Sequence, residues 1–211
     1  MKTIFFVRHG ESDANVGTHF SPADAPLTAK GRQQAAFIAE RTTHLPVDVL
    51  ISSTMGRAKE TAEYIAEAIK LPIEYSELMV ERKFPSALVG LEKKSPEGKK
   101  MWDDWTKSAA AGGPRVLDGE NFDDIKERSR TVIRLLEKRP EDNILIVSHG
   151  FFMRFLALFA IYRDELTPAI FAPIHFGLRV NNTGLTVLHY DPNDKHKDWW
   201  VSVWNDHAHL G

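Results

Sequence analysis

The sequence predicts an α/β protein, a three-layer α/β/α sandwich on a mixed, largely parallel central sheet, with residues 1–211 forming a single domain. Two observations lead there. Short, almost continuously apolar runs at Thr3–Val7, Val47–Ile51 and Asn143–Val147 have the composition of strands buried on both faces. Longer stretches between them carry apolar residues at helical spacing, so strand and helix alternate as they do in crossover units.

Each element has its own signal. Thr3–Val7 is the first strand, and Thr28 is a candidate N-cap for a helix whose apolar side is Ala35, Ala36, Ile38 and Ala39. Val47–Ile51 follows, then a helix through Ile69 with Ala58, Ala62, Ile65, Ala66 and Ile69 in register. Pro72–Tyr75 suits a short strand. Between Lys83 and Asp118 regularity dissolves into prolines, lysine pairs and the Ala-Ala-Ala-Gly-Gly-Pro run, which marks an insertion with some helix that covers or flanks the site. Trp102 and Trp105 are its expected packing anchors. A helix resumes after Asn121 with Phe122, Ile125, Ser129, Val132, Ile133 and Leu136 on one face. Asn143–Val147 leads into Phe151–Ile161, which is apolar almost all round and reads as a core helix. Leu178–Tyr190 suggests two strands about an Asn182-Thr183-Gly184 hairpin, and Trp199–Trp204 closes the sheet.

Composition narrows the function. The 27 Lys+Arg and 29 Asp+Glu nearly cancel to a net charge of −2, which argues against a nucleic-acid or anionic-membrane partner held by the overall field. Hydrophobic residues at 43% suffice for a core without staples. The absence of cysteine removes disulfides, thiolate zinc sites and cysteine nucleophiles, and makes a reducing cytoplasm the expected location. Ile4–Val7 is too short for a signal peptide, and Phe151–Tyr162 is too short to span a bilayer.

Binding groups in open α/β sheets gather beyond the carboxyl ends of the strands. There the sequence places Arg8-His9-Gly10-Glu11-Ser12 after the first strand, Ser53 to Ala58 with Arg57 after the second, and Ser148-His149-Gly150 after the third. Two histidines and two arginines then converge on one side. Arginine forks and helix N-termini suit phosphate, and a histidine among them serves as nucleophile or as acid/base. Each has a plainer alternative: a surface turn for Arg8-His9, a solvated helix face for Arg57, a hydrogen-bonded core histidine for His149.

In this arrangement the sequence resembles the histidine phosphatase superfamily, which includes the cofactor-dependent phosphoglycerate mutases. The residues that carry the resemblance are RHGES at 8–12 with Asn15, LTAKGRQQA at 27–35, SSTMGRAKETA at 52–62, Glu81, Gly119-Glu120 and SHG at 148–150. The resemblance implies that His9 is the nucleophile that becomes a transient phosphohistidine. It further implies that Arg8 and Arg57 clamp the phosphoryl oxygens, that His149 and Asn15 donate to them, and that Glu81 shuttles the proton of the leaving oxygen. Glu81 sits among Glu77, Arg82 and Lys83, so a surface ion pair competes with that role. Lys83-Phe84-Pro85-Ser86 also departs from the glycine and Trp-Glu-Gly element common in the family.

Other candidates carry less. Asp206, His207 and His209 lack further metal ligands at recognisable spacing and read as a frayed polar tail. His19, His44, His175, His189 and His196 read as surface or core residues. No G-x-S-x-G elbow, Walker loop or H-E-x-x-H is present, so a covalent mechanism with no metal and no cofactor is expected. The expected function is hydrolysis of small phosphorylated metabolites. Phosphoryl migration by a mutase and a non-catalytic phosphate- or phosphopeptide-binding module are the alternatives. Lys83, Lys93, Lys94 and the Trp199–Trp204 segment are candidates for the leaving-group side, where extra basic groups suit a second anion.

Overall fold

β1 (Lys2–Arg8) shows how the layers arise. Its alternate side chains Ile4 and Phe6 enter one core while Phe5 and Val7 enter another on the opposite sheet face, in the computed structural model of residues 1–211. A strand in the middle of the sheet must be apolar on both sides, which is why its sequence runs rather than alternates. β2 (Val49–Ser53) and β4 (Asn143–Ser148) are built the same way.

The six strands lie in the order β3-β2-β4-β1-β5-β6, with β3 at Ile73–Ser76, β5 at Leu185–Tyr190 and β6 at Trp199–Asp206. β1, β2, β3 and β4 are mutually parallel, whereas β5 runs antiparallel to both β1 and β6. The sheet is mixed and largely parallel, as its sequence predicts. One face packs on α5 (Phe122–Lys138) and α6 (Gly150–Tyr162), with Phe171 of α7 (Pro168–Gly177) joining that core. The other face takes α2 (Ala29–Thr42) and α3 (Gly56–Ile69). Two further helices, α1 (Asp13–Val16) and α4 (Pro96–Ala110), stand near the carboxyl edge. No helix is long and apolar enough to cross a membrane.

Four expectations change. β2 runs two residues past the apolar signal, because the hydroxyls of Ser52 and Ser53 bond locally, Ser52 to the Ser53 carbonyl at 3.0 Å and Ser53 from the Met55 N–H at 3.2 Å. A strand can therefore carry buried serines into the site. Residues 178–184 are not a hairpin. Thr183 takes a left-handed φ of 57° and donates its N–H to the Arg8 carbonyl, so the turn braces the end of β1, and β5 pairs instead with β6. α7 escapes periodicity analysis because it is apolar throughout and contains Pro173. The C-terminal residues are docked rather than frayed: Asp206 pairs with Arg41, and His209 Nε2 meets Thr183 Oγ1 at 3.0 Å.

The segment 83–118 is organised by one buried cation. Arg82, 1% exposed, stacks 3.8 Å over the Trp105 ring and donates to the carbonyls of Trp105 and Glu120 and to Ser108 Oγ. Burial draws its pKa down to about 9, against the opposing pull of Glu120.

Candidate active site

The parallel register decides which loops meet. Arg8 lies beside Ser148, and Val147 beside both Val7 and Ser52, so β1, β2 and β4 end side by side. The residue after each strand, or one short turn beyond, is a polar side chain of the site.

His9 is 2% exposed, and its ring is oriented from both ends. Nδ1 lies 2.7 Å from the Gly10 carbonyl and must donate, which places the proton there and leaves the lone pair on Nε2. Arg57 Nε donates to that lone pair at 3.1 Å. Burial first, then the charges of Arg57 and Arg8, hold the imidazole well below its ordinary value of 6.5, so it stays neutral. The Gly10 N–H is fixed on Thr61 Oγ1 at 3.0 Å, and Asn182 Nδ2 donates to the His9 carbonyl at 2.9 Å.

The glycines around His9 have steric reasons. A Cβ on Gly31 would stand 1.9 Å from the Glu11 carbonyl oxygen, and one on Gly10 would stand 2.5 Å from that of Gly31. The N-terminus of α2 is thereby pressed against the loop that carries His9. Gly150 leaves room for Arg8, whose Nε would lie 3.2 Å from a Cβ there. Arg8 Nη1 donates to the Val180 carbonyl at 2.5 Å while its Nε has no partner in the protein. Burial lowers the pKa of Arg8 and of Arg57, and Glu81 opposes this for each.

His149 is wholly buried, its ring 5.0 Å from that of His9. Ser53 Oγ lies 2.8 Å from its Nε2, while Nδ1 is unpartnered. With the Ser53 hydroxyl donating to Nε2, Nδ1 is the N–H left free. Burial first and Arg57 second keep this ring neutral too. Glu81 accepts backbone N–H groups of Arg82 and Phe152 at 3.0 Å and of Phe151 at 3.2 Å, so its carboxylate sits on the N-terminus of α6. It forms no surface ion pair. Asn15 spends its Oδ1 on the Ser12 N–H, capping α1, and keeps its amide nitrogen free at the cavity edge.

These groups open into a cavity of about 1160 Å³. The structure brings Arg8, His9, Asn15, Arg57 and Glu81 to its wall, with His149 immediately behind His9. Of the leaving-group candidates, Lys83 and Lys93 line it, whereas Lys94 and Trp199–Trp204 do not. Lys93 is already committed, its Nζ donating to the carbonyls of Ala14 and Gly17 at 2.9 and 2.8 Å. Trp199 is buried in the core and Trp204 donates to the Arg179 carbonyl, which keeps that segment away. Trp102 and Trp105 pack on each other at 4.7 Å and also face the cavity. Arg154 and His175 line the wall as well. The motifs give no sign of them, because one is a lone charge on an apolar helix and the other lies on the helix that periodicity misses. No three His, Cys, Asp or Glu side chains are grouped so as to hold a metal ion.

An α/β sandwich that gathers two neutral histidines and two buried guanidiniums at the carboxyl edge of its sheet has the makings of a phosphate-handling protein. The chain belongs to the histidine phosphatase superfamily (branch 1), which it matches over residues 4–207. A protein named probable phosphoglycerate mutase GpmB from Salmonella arizonae is 30% identical over 216 residues, covering 100% of this chain and 95% of the relative. YhfR of Bacillus stearothermophilus superposes with a TM-score of 0.79 at 27% identity over 100% of both chains. A phosphoserine phosphatase mutant of Entamoeba histolytica, solved with phosphoserine, has the same fold at a TM-score of 0.78 and 22% identity, again over 100% of both chains.

Proposed function

We propose that the protein hydrolyses small phosphomonoesters through a phosphohistidine on His9. The observation that carries this reading is the tautomer of His9, a neutral ring whose Nε2 lone pair is directed at Arg57 beside the cavity. In the first half-reaction Nε2 attacks phosphorus, the bond to the leaving oxygen breaks, and Glu81 supplies the proton that oxygen needs. Arg8 and Arg57 hold the phosphoryl oxygens, with Asn15 and His149 Nδ1 as neutral donors. In the second, water attacks phosphorus, the N–P bond breaks, Glu81 takes the proton, and inorganic phosphate leaves.

The name borne by the Salmonella relative favours a second reading, phosphoryl migration between positions of a phosphoglycerate. The two use one pocket and differ in whether water reaches the phosphohistidine. A cavity of about 1160 Å³ leaves room for water beside a small metabolite, which supports hydrolysis. Free phosphate release, measured against isomer formation from phosphoglycerates, decides; dominant isomerisation would reverse the choice. His9→Ala should abolish aryl phosphate hydrolysis while leaving phosphate binding measurable. Unchanged hydrolysis would remove His9 from the mechanism. No metal enters this scheme, and hydrolysis should survive exhaustive chelation.

A further inference from the structure

Six buried side-chain polar atoms in the chain have no hydrogen-bond partner, and four of them belong to residues of the cavity wall: Arg8 Nε, Thr106 Oγ1, Arg154 Nε and His175 Nδ1. Buried polar groups in folded proteins are almost always paired, so a cluster of unpaired ones marks where something polar is meant to bind. Arg8 is accounted for by the phosphoryl site. The other three come from α4, α6 and α7 and are not used by the chemistry proposed above.

The cavity's cations can be sorted by what their N–H groups already do. Arg82 is spent on the carbonyls of Trp105 and Glu120 and on Ser108, and Lys93 on those of Ala14 and Gly17. Lys59 lies 5.3 Å over the Tyr75 ring, and Lys83 and Lys99 are exposed. Arg154 differs. It is partly buried, gives only Nη1 to the Leu178 carbonyl at 3.2 Å, and has a buried, unused Nε. Burial lowers its pKa and the charge of Glu81 partly restores it. It stands one turn of α6 beyond Gly150, where Arg8 lies, which is about 6 Å along the helix.

His175 faces the same wall, its ring stacked on Phe171 at 4.9 Å and tilted against Phe151 at 4.8 Å. Burial, then Arg154 and Arg82, draw its pKa down to about 4, so it is a neutral hydrogen-bonding group.

We propose that Arg154, with His175 and Thr106 on the same cavity wall, forms a second anion subsite, so that the preferred substrate is a phosphomonoester whose leaving group carries a carboxylate or second phosphate a short carbon spacer away. This rests on the phosphohydrolase reading of the His9 site and names the substrate class that site takes. A guanidinium edge with a free Nε suits either oxyanion.

The test compares competitive inhibition of aryl phosphate hydrolysis by two pairs of probes that differ in one group. The first pair is 3-phosphoglycerate against glycerol 3-phosphate, which lacks the carboxylate. The second is propane-1,3-diol bisphosphate against the monophosphate. In the wild-type protein the doubly anionic member of at least one pair should bind about tenfold tighter or more, the range of a charged hydrogen bond. Arg154→Gln should bring that ratio close to one, and Arg154→Lys should restore only part of it. A ratio within one variant cancels general damage to the phosphate site. The carboxylate and phosphate pairs tell the two oxyanions apart. No preference in either pair, or a preference that survives Arg154→Gln, overturns the subsite. Absence of any His9-dependent aryl phosphate hydrolysis would instead overturn the reading on which it rests, and the subsite with it.

Discussion

Arg57 Nε donates to His9 Nε2 across 3.1 Å, so the guanidinium proposed to hold phosphate occupies the lone pair of the proposed nucleophile. Attack on phosphorus requires that hydrogen bond to be exchanged for one to a phosphoryl oxygen. On the proposed mechanism Arg57 therefore orients the ring first and then holds the oxygens of the phosphoryl group that His9 receives. Arg57→Ala should lower kcat/KM for an aryl phosphate by about a hundredfold to a thousandfold, the cost of one preorganised donor. Arg57→Lys should recover little of it, because an ammonium cannot place a donor at Nε and a second at the fork. Near-wild-type turnover in the lysine variant would show that only charge matters there.

Five buried or half-buried histidines, His9, His149, His175, His189 and His209, are all drawn below their ordinary value by burial and set a pH dependence whose sign is fixed. His9 and His149 lie well below 6.5 and His175 at about 4 in the folded chain, so the unfolded chain binds more protons just below pH 6.5. Stability is then full above about 6.5 and declines as pH falls toward the folded values. Thermal unfolding followed from pH 7.5 to 4.5 should show this decline, and His175→Asn should flatten part of it. Activity should behave differently: burial and the neighbouring guanidiniums hold the imidazole of His9 well below its ordinary value, so kcat/KM should show no acid limb at 6.5. A limb at that pH would mean that His9 titrates as an exposed histidine.

Glu81 is held by the backbone N–H groups of Phe151 and Phe152 at the head of α6 and by that of Arg82, an arrangement that fixes its carboxylate without a side-chain partner. A proton donor matters most when the leaving group is a poor one. Glu81→Gln should therefore cost about a hundredfold or more in kcat with an alkyl phosphate and far less with p-nitrophenyl phosphate, whose leaving oxygen needs no proton. Equal losses on both substrates would assign Glu81 to positioning rather than proton transfer.

The convergence of Arg8, His9, Arg57 and His149 is legible in the sequence because parallel strands buried on both faces announce themselves, and the site lies where they end. What lies farther out is not. Arg154 is one charge on an otherwise apolar helix, and only its unpaired Nε in the folded chain distinguishes it from a snorkelling surface arginine. His175 lies on α7, where apolar residues on every side erase the periodicity that marks a helix. The sequence puts Asn182 at the tip of a hairpin; its Asn-Thr-Gly signal is a real turn, but one whose left-handed Thr183 is tied to β1 instead of joining two strands. Local patterns reveal turns and strands. They do not reveal which carbonyl a turn will brace.

Gly31 offers a test of how the fold holds the loop that carries His9. It belongs to the LTAKGRQQA stretch and lines no part of the cavity, yet a Cβ there would stand 1.9 Å from the Glu11 carbonyl oxygen and 2.8 Å from its carbon. Backbone cannot yield as a flexible side chain does, so α2 and residues 9–11 must separate. Gly31→Ala should destabilise the protein by about 2–3 kcal/mol in denaturant unfolding. It should also reduce kcat/KM well beyond what the residual folded fraction explains, because the Gly10 carbonyl that fixes the His9 tautomer moves with the loop. Gly177→Ala is the matched control, since no atom lies within 4 Å of a Cβ built there. If Gly31→Ala matches that control in both stability and turnover, the close approach of α2 is not what holds His9 in place.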